Sequence, residues 1–127
     1  MLEAGTTGEI TKVVAPNMCA DAVGSGELPV LATPVLAALV GEAAWRSISS
    51  DLDEGQTTVG TKLELNHTKA TPQGMAVTVE TELQEIDRRR LVFRFVATDE
   101  AGEVASGTHE RFVVDAARFM GRAQSKR

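Results

Sequence analysis

Aromatic residues and cysteine are scarce in this chain. Four phenylalanines, one tryptophan and no tyrosine make up 4% of its 127 residues, too few for the rows of stacked rings on which single-stranded nucleic-acid binders hold bases. The lone Cys19 allows neither a disulfide within the chain nor a cysteine-based metal site. No apolar run approaches the ~20 residues of a spanning helix, and the first residues, MLEAGTTGEITK, lack a secretory signal pattern. We therefore expect a cytoplasmic protein without cofactor, metal or membrane partner.

Basic residues are fewer than acidic ones, 13 against 18. The net charge of −5 makes the chain a poor binder of phosphate backbones, so no nucleic-acid partner is expected. The last ten residues are the exception, since they hold four bases and no acid. They indicate the end of a solvated surface helix, with contact to an anionic ligand as the alternative. The length and the 43% hydrophobic content suit one domain over residues 1–127.

The hydrophobic pattern predicts one long helix among strands. Residues 8–14 suggest a first strand, and Thr33 before Pro34 indicates a helix start with threonine as N-cap, the helix running from Pro34 to about Ser49. After Gly55 the pattern alternates. The predicted inward residues are Val59, Thr61, Leu63 and Leu65, then Met75, Val77, Val79, Thr81 and Leu83, then Leu91, Phe93 and Phe95. Short turns at 70–74, 87–90 and 101–103 predict an antiparallel meander or a close relative, hence an α+β fold.

Two histidines and one ion pair are the candidates for chemistry. His67 shares its strand face with Leu63 and Leu65, so it is either a hydrogen-bonded histidine at the core edge or a general base. His109 shares a face with Arg111, a pattern more typical of a polar strand face than of a site. Within the predicted helix, Glu42 stands four residues before Arg46, the favourable order for a salt bridge.

Three stretches resemble a known family: GSGELPVLATPVLAALVGEAAW (24–45), TTVGTKLELNHTKATPQG (57–74) and GTHERFVV (107–114). They look like the single-domain hot-dog thioesterases related to fluoroacetyl-CoA thioesterase. The resemblance implies a long central helix wrapped by an antiparallel five-stranded sheet, a homodimer, and an acyl-CoA site at the dimer interface. It matches Thr33 and His67 to catalytic residues. It also matches Gly60 to the glycine that receives the thioester carbonyl and Arg111 to an arginine near the substrate.

The catalytic glutamate that the resemblance implies falls at Gly41 when the chain is aligned from Thr33 without a gap. Glu42 stands one residue later, rotated by ~100° on a helix. One hypothesis is therefore hydrolysis of a small acyl-CoA, impaired at Gly41, with Thr33 as polariser, His67 as base and Glu42 as a displaced acid. Gly41 is then expected to line the substrate together with Gly60 and Arg111. The alternative is a non-hydrolytic acyl-CoA binding module. A hot-dog hydratase is the weakest, because the chain has no Asp-x-x-x-x-His pattern.

Overall fold

The computed structural model describes all 127 residues and contains one antiparallel sheet in the order β1-β3-β4-β5-β2. Its strands are β1 (Thr7–Val13), β2 (Gln56–His67), β3 (Ala76–Asp87), β4 (Arg90–Asp99) and β5 (Gly102–Asp115). The helices are α1 (Ala20–Val23), α2 (Thr33–Ile48) and α3 (Ala116–Gln124), with 3₁₀ turns at Pro16–Met18 and Ser49–Asp51. None of these helices combines the length and the hydropathy needed to cross a membrane.

The five strands and the long helix agree with prediction, but the order of strands departs from a simple meander. Strands β3, β4 and β5 are consecutive neighbours, whereas β2 pairs with β5 and β1 pairs with β3. Residues 68–75 therefore cross from one side of the sheet to the other, and their turn sequence does not close a hairpin. A Pro and Gly signal marks a change of chain direction and says nothing about which strands pair. As a result, β2 is an edge strand.

Helix α2 lies against the inner face of the sheet. Its buried residues are Leu36, Leu39, Val40, Ala43, Ala44 and Ile48. They meet the alternating residues of β3 and β4, which are buried as predicted. The start of the helix differs by one residue, since Thr33 is the first helical residue and Ala32 is the N-cap. The Thr33 hydroxyl makes no capping bond because it bonds to another side chain, described below.

A β-bulge in β2 changes which residues face the helix. The register with β5 shifts between Gly60 and Lys62, and an extra residue reverses the side-chain alternation. Before the bulge, Thr58 faces inward opposite Val113, while Val59 lies opposite the exposed Phe112. The predicted single face from Val59 to Leu65 is therefore wrong at its start.

Candidate active site

Thr33 and His67 meet at the start of α2. Thr33 is the first residue of this helix and His67 the last residue of β2, and the Thr33 Oγ1 atom lies 2.8 Å from His67 Nδ1. The other ring nitrogen, Nε2, is buried and has no hydrogen-bond partner. Both residues line a groove of about 240 Å³. The other lining residues are Ala20, Ser25, Val30, Leu31, Ala32, Thr68, Lys69 and Ala70.

This contact engages one ring nitrogen of His67 and leaves the other without a partner. A neutral imidazole carries one donor and one acceptor nitrogen. Because Thr33 satisfies Nδ1, Nε2 is the nitrogen left for a ligand or water, as base or as donor according to the tautomer. The predicted direction of His67, towards the helix, agrees with this geometry.

A second polar cluster, formed by Thr58, His109 and Arg111, is buried between β2, β5 and the helix. Arg111 Nε donates to Thr58 Oγ1 at 2.8 Å and Nη2 donates to the Thr58 carbonyl at 3.0 Å. Arg111 Nη1 lies 3.1 Å from His109 Nε2, and His109 Nδ1 lies 2.8 Å from the Lys62 carbonyl. The three side chains are 7%, 7% and 8% exposed, so the polar strand face predicted for His109 and Arg111 is buried rather than on the surface.

His109 is a neutral acceptor in this cluster. A carbonyl can only accept and a guanidinium can only donate, so Nδ1 carries the proton and Nε2 accepts from Arg111. Burial lowers the pKa of His109, and the Arg111 charge lowers it further, against the opposing effect of the bond to Lys62. His109 and Thr58 together hold the guanidinium in place. Thr58 was not predicted from the sequence, because the bulge that turns it inward leaves no clear sequence signal.

Gly41 and Gly60 border the same guanidinium. A Cβ added at Gly60 would lie 3.1 Å from His109 Cε1 and 3.2 Å from Arg111 Nη1, tighter than ordinary packing. A Cβ added at Gly41 would meet only Arg111 Nη1, at 3.6 Å. The three residues predicted to bind substrate, Gly41, Gly60 and Arg111, thus lie together.

Glu42 is engaged elsewhere. Its Oε2 accepts from Arg46 Nε at 2.9 Å, as the spacing predicts. Helix α2 is α-helical from Thr33 to Ile48 without a bulge, so Glu42 is not shifted onto the position of Gly41. Within one chain it also lies about 13 Å along the helix axis from Thr33.

A sequence model of the family described as fluoroacetyl-CoA-specific thioesterase matches residues 14–117. This chain belongs to that family. It is 38% identical over 97 residues to a fluoroacetyl-CoA thioesterase of Streptantibioticus cattleyicolor, covering 76% of this chain and 70% of the relative.

Solved structures agree with the family and the fold. A structure of the fluoroacetyl-CoA thioesterase FlK superposes with a TM-score of 0.94 at 32% identity, covering 100% of this chain and 98% of the other. A thioesterase superfamily member of Thermus thermophilus superposes at 0.89 with 24% identity, covering 97% and 91%. A hot-dog-like protein of Thermanaerovibrio acidaminovorans gives 0.88 with 23% identity, covering 97% and 91%. The last two show the fold alone. The predicted hot-dog fold, family and thioester hydrolase class are confirmed at this level.

Proposed function

We propose that this member of the thioesterase family hydrolyses a small acyl-CoA thioester at a site formed between two copies of the chain. The observation that carries the proposal is the 2.8 Å contact between Thr33 and His67, with His67 Nε2 buried and without a partner. The groove beside them is small, about 240 Å³, below the usual range for drug-sized ligands.

The residues suit a simple hydrolysis. His67 takes a proton from water as the water oxygen attacks the thioester carbon, while the Thr33 hydroxyl orients the ring. The C–S bond then breaks, and the imidazolium returns the proton to the leaving CoA thiolate. Gly60 leaves its backbone open to the thioester carbonyl, and Arg111 supplies positive charge near the acyl group.

The need for two copies follows from distance. Gly41 lies eight residues after Thr33 on a helix without interruption, which separates them by about 12 Å along the axis. The Arg111 cluster beside Gly41 is therefore remote from Thr33 and His67 of the same chain. In a homodimer, the cluster of one subunit faces the Thr33–His67 pair of the partner.

The surface around α2 supports such a pairing. Strand β2 is an unpaired edge twelve residues long, and long open edges are normally covered. Leu63 on this edge is 36% exposed, and Trp45 on α2 is also exposed. Pro34 and Ala38 are also exposed and lie on the same face of α2 as Trp45. Light scattering at micromolar concentration should give twice the mass of the chain, and a monomer would contradict the shared site.

The activity is tested by thiol release from a panel of short acyl-CoA esters. We expect measurable release by the wild type, and losses of ~100-fold or more with His67→Ala. Thr33→Val should fall by a similar order, whereas Thr33→Ser, which keeps the hydroxyl, should retain much of the rate. Thr57→Val, an exposed change in β2, is the matched control and should leave the rate unaltered. Equal rates for wild type and His67→Ala would refute the proposal.

Gly41 favours a second candidate, a non-hydrolytic acyl-CoA binder. The glycine leaves no carboxylate at the position where the resemblance implies one. Binding of intact esters without thiol release, together with release after Gly41→Glu, would support this function. A role for Glu42 as displaced acid stays a prediction, since its carboxylate is bonded to Arg46. The cytoplasmic location predicted from the lone Cys19 also stays a prediction.

A further inference from the structure

The Arg111 guanidinium is a buried positive charge without an acidic partner. It is 8% exposed, and it belongs to none of the ion pairs in the structure. All its hydrogen bonds go to neutral acceptors on Thr58 and His109. A buried charge is costly without an opposite one, so this cation is suited to an anion brought by a ligand.

Arg111 also has donors to spare. A guanidinium has five N–H groups, and the three bonds to Thr58 and His109 use three of them. The remaining two N–H groups belong to Nη1 and Nη2, and these two atoms can bind a carboxylate in a bidentate pair.

Gly41 leaves space beside these donors. A Cβ at this position would touch Arg111 Nη1 alone, at 3.6 Å, with no other atom beyond its helical neighbours within 4 Å. The aligned glutamate would extend its carboxylate from this point. With glycine, the space of the first side-chain carbon is open and borders the cation.

The acids nearest in sequence do not supply the missing charge. Glu42 is bonded to Arg46, and Glu110 is bonded to Arg90 at 2.9 Å. His109 is held neutral between Lys62 and Arg111. Arg111 therefore borders the gap as a cation without an acid of its own chain within ion-pair distance.

We propose that the Gly41–Arg111 gap binds a carboxylate at the end of the acyl group, so that the preferred substrates are CoA thioesters of short dicarboxylic acids. This inference rests on the proposed function, because it assigns a substrate class to the same shared site. The substrate carboxylate takes the place that a glutamate side chain would fill and pairs with both free donors of Arg111.

The test compares two esters of similar shape. Malonyl-CoA carries a carboxylate where isovaleryl-CoA carries an uncharged branched end. We expect kcat/KM for thiol release to favour malonyl-CoA by ~10-fold to 100-fold in the wild type, the effect of one charge-assisted pair. A ratio near one, with both esters hydrolysed, would overturn the inference and leave the proposed function standing.

Two variants at Gly41 separate charge from space. Gly41→Glu places a carboxylate next to Arg111 and should abolish or reverse the preference. Gly41→Gln fills the same volume without charge, so it should lower the preference by excluding the substrate carboxylate, but it leaves Arg111 unpaired and should not reverse the preference towards isovaleryl-CoA. Both replace a helical glycine by a better helix former, so both should fold. The wild-type ratio retained in both variants would show that the gap does not hold the substrate carboxylate and would overturn the inference.

Binding provides a readout that does not depend on hydrolysis. Calorimetry with two non-hydrolysable thioethers, S-(2-carboxyethyl)-CoA and S-(3-methylbutyl)-CoA, should show the same ~10-fold or greater preference for the carboxylate. If no ester releases thiol but the thioethers keep this preference, the proposed hydrolysis fails and the inference stands. Equal dissociation constants for the two thioethers would overturn the inference whatever the rates.

Discussion

Replacing Thr58 by valine tests whether the buried cluster is held by hydrogen bonds to Arg111. Thr58 Oγ1 accepts from Arg111 Nε at 2.8 Å, and both side chains are more than nine-tenths buried. Valine has nearly the same shape and cannot accept. The change therefore leaves a charged donor without its partner while preserving the backbone bond from Nη2 to the Thr58 carbonyl.

The magnitude follows from two opposing contributions. Losing a hydrogen bond to a charged group costs about 1.5–3 kcal/mol. The buried methyl group that replaces the hydroxyl recovers about 0.8 kcal/mol. We therefore expect the free energy of unfolding to fall by about 1–2 kcal/mol.

Urea unfolding at fixed protein concentration measures this difference, with the slope of the transition unchanged between the two proteins. Thr57→Val is the control, because Thr57 is exposed on the same strand and makes no side-chain hydrogen bond. It should change stability by less than about 0.5 kcal/mol. A Thr58→Val variant as stable as this control would refute the argument that Thr58 positions Arg111.

Three further results are expected. Gly60→Ala should destabilise the fold by about 1–3 kcal/mol in urea unfolding, because its Cβ would crowd His109 and Arg111. Gly41→Ala, whose Cβ has open space, should stabilise the fold by up to ~1 kcal/mol. The lowered pKa of His109 means that the unfolded chain binds more protons, so stability should fall as the pH drops below ~6.5 towards the folded-state pKa. The urea midpoint of His109→Gln should depend less on pH than that of the wild type. Glu42→Ala should keep thiol release within about twofold of the wild type, since a carboxylate bonded to Arg46 is not placed to give the ~100-fold or greater contribution of a general acid or base. A larger loss would make Glu42 part of the chemistry.

The long helix and the central strands were predictable from the sequence because their signals are local. The apolar period and the Thr-Pro start place α2 within one residue of its bounds. The alternation of Val77, Val79 and Leu83 with polar residues indicates which side of β3 is buried. The direction of His67 was also correct, since the bulge in β2 precedes the stretch that carries Leu63, Leu65 and His67.

The remaining features depend on contacts between residues distant in the chain. The pairing of β2 with β5 decides that Gly60 lies opposite Arg111, and no local pattern reports it. The bulge turns Thr58 inward and provides the acceptor that makes a buried arginine tolerable. Without these partners in view, His109 and Arg111 read as a polar surface, because charged residues are seldom buried alone.

The side chain at position 41 of α2 affects the chemistry of the site but not the fold. The helix starts at Thr33 and buries its apolar face with glycine at position 41, and a backbone superposition with a TM-score of 0.94 carries no information about the side chain there. The charge beside residue 41, in contrast, depends on which side chain stands there. A glutamate there would neutralise Arg111, whereas Gly41 leaves the guanidinium without an acid. Substrate choice should therefore differ between relatives of the same fold according to whether the protein or the substrate supplies the anion.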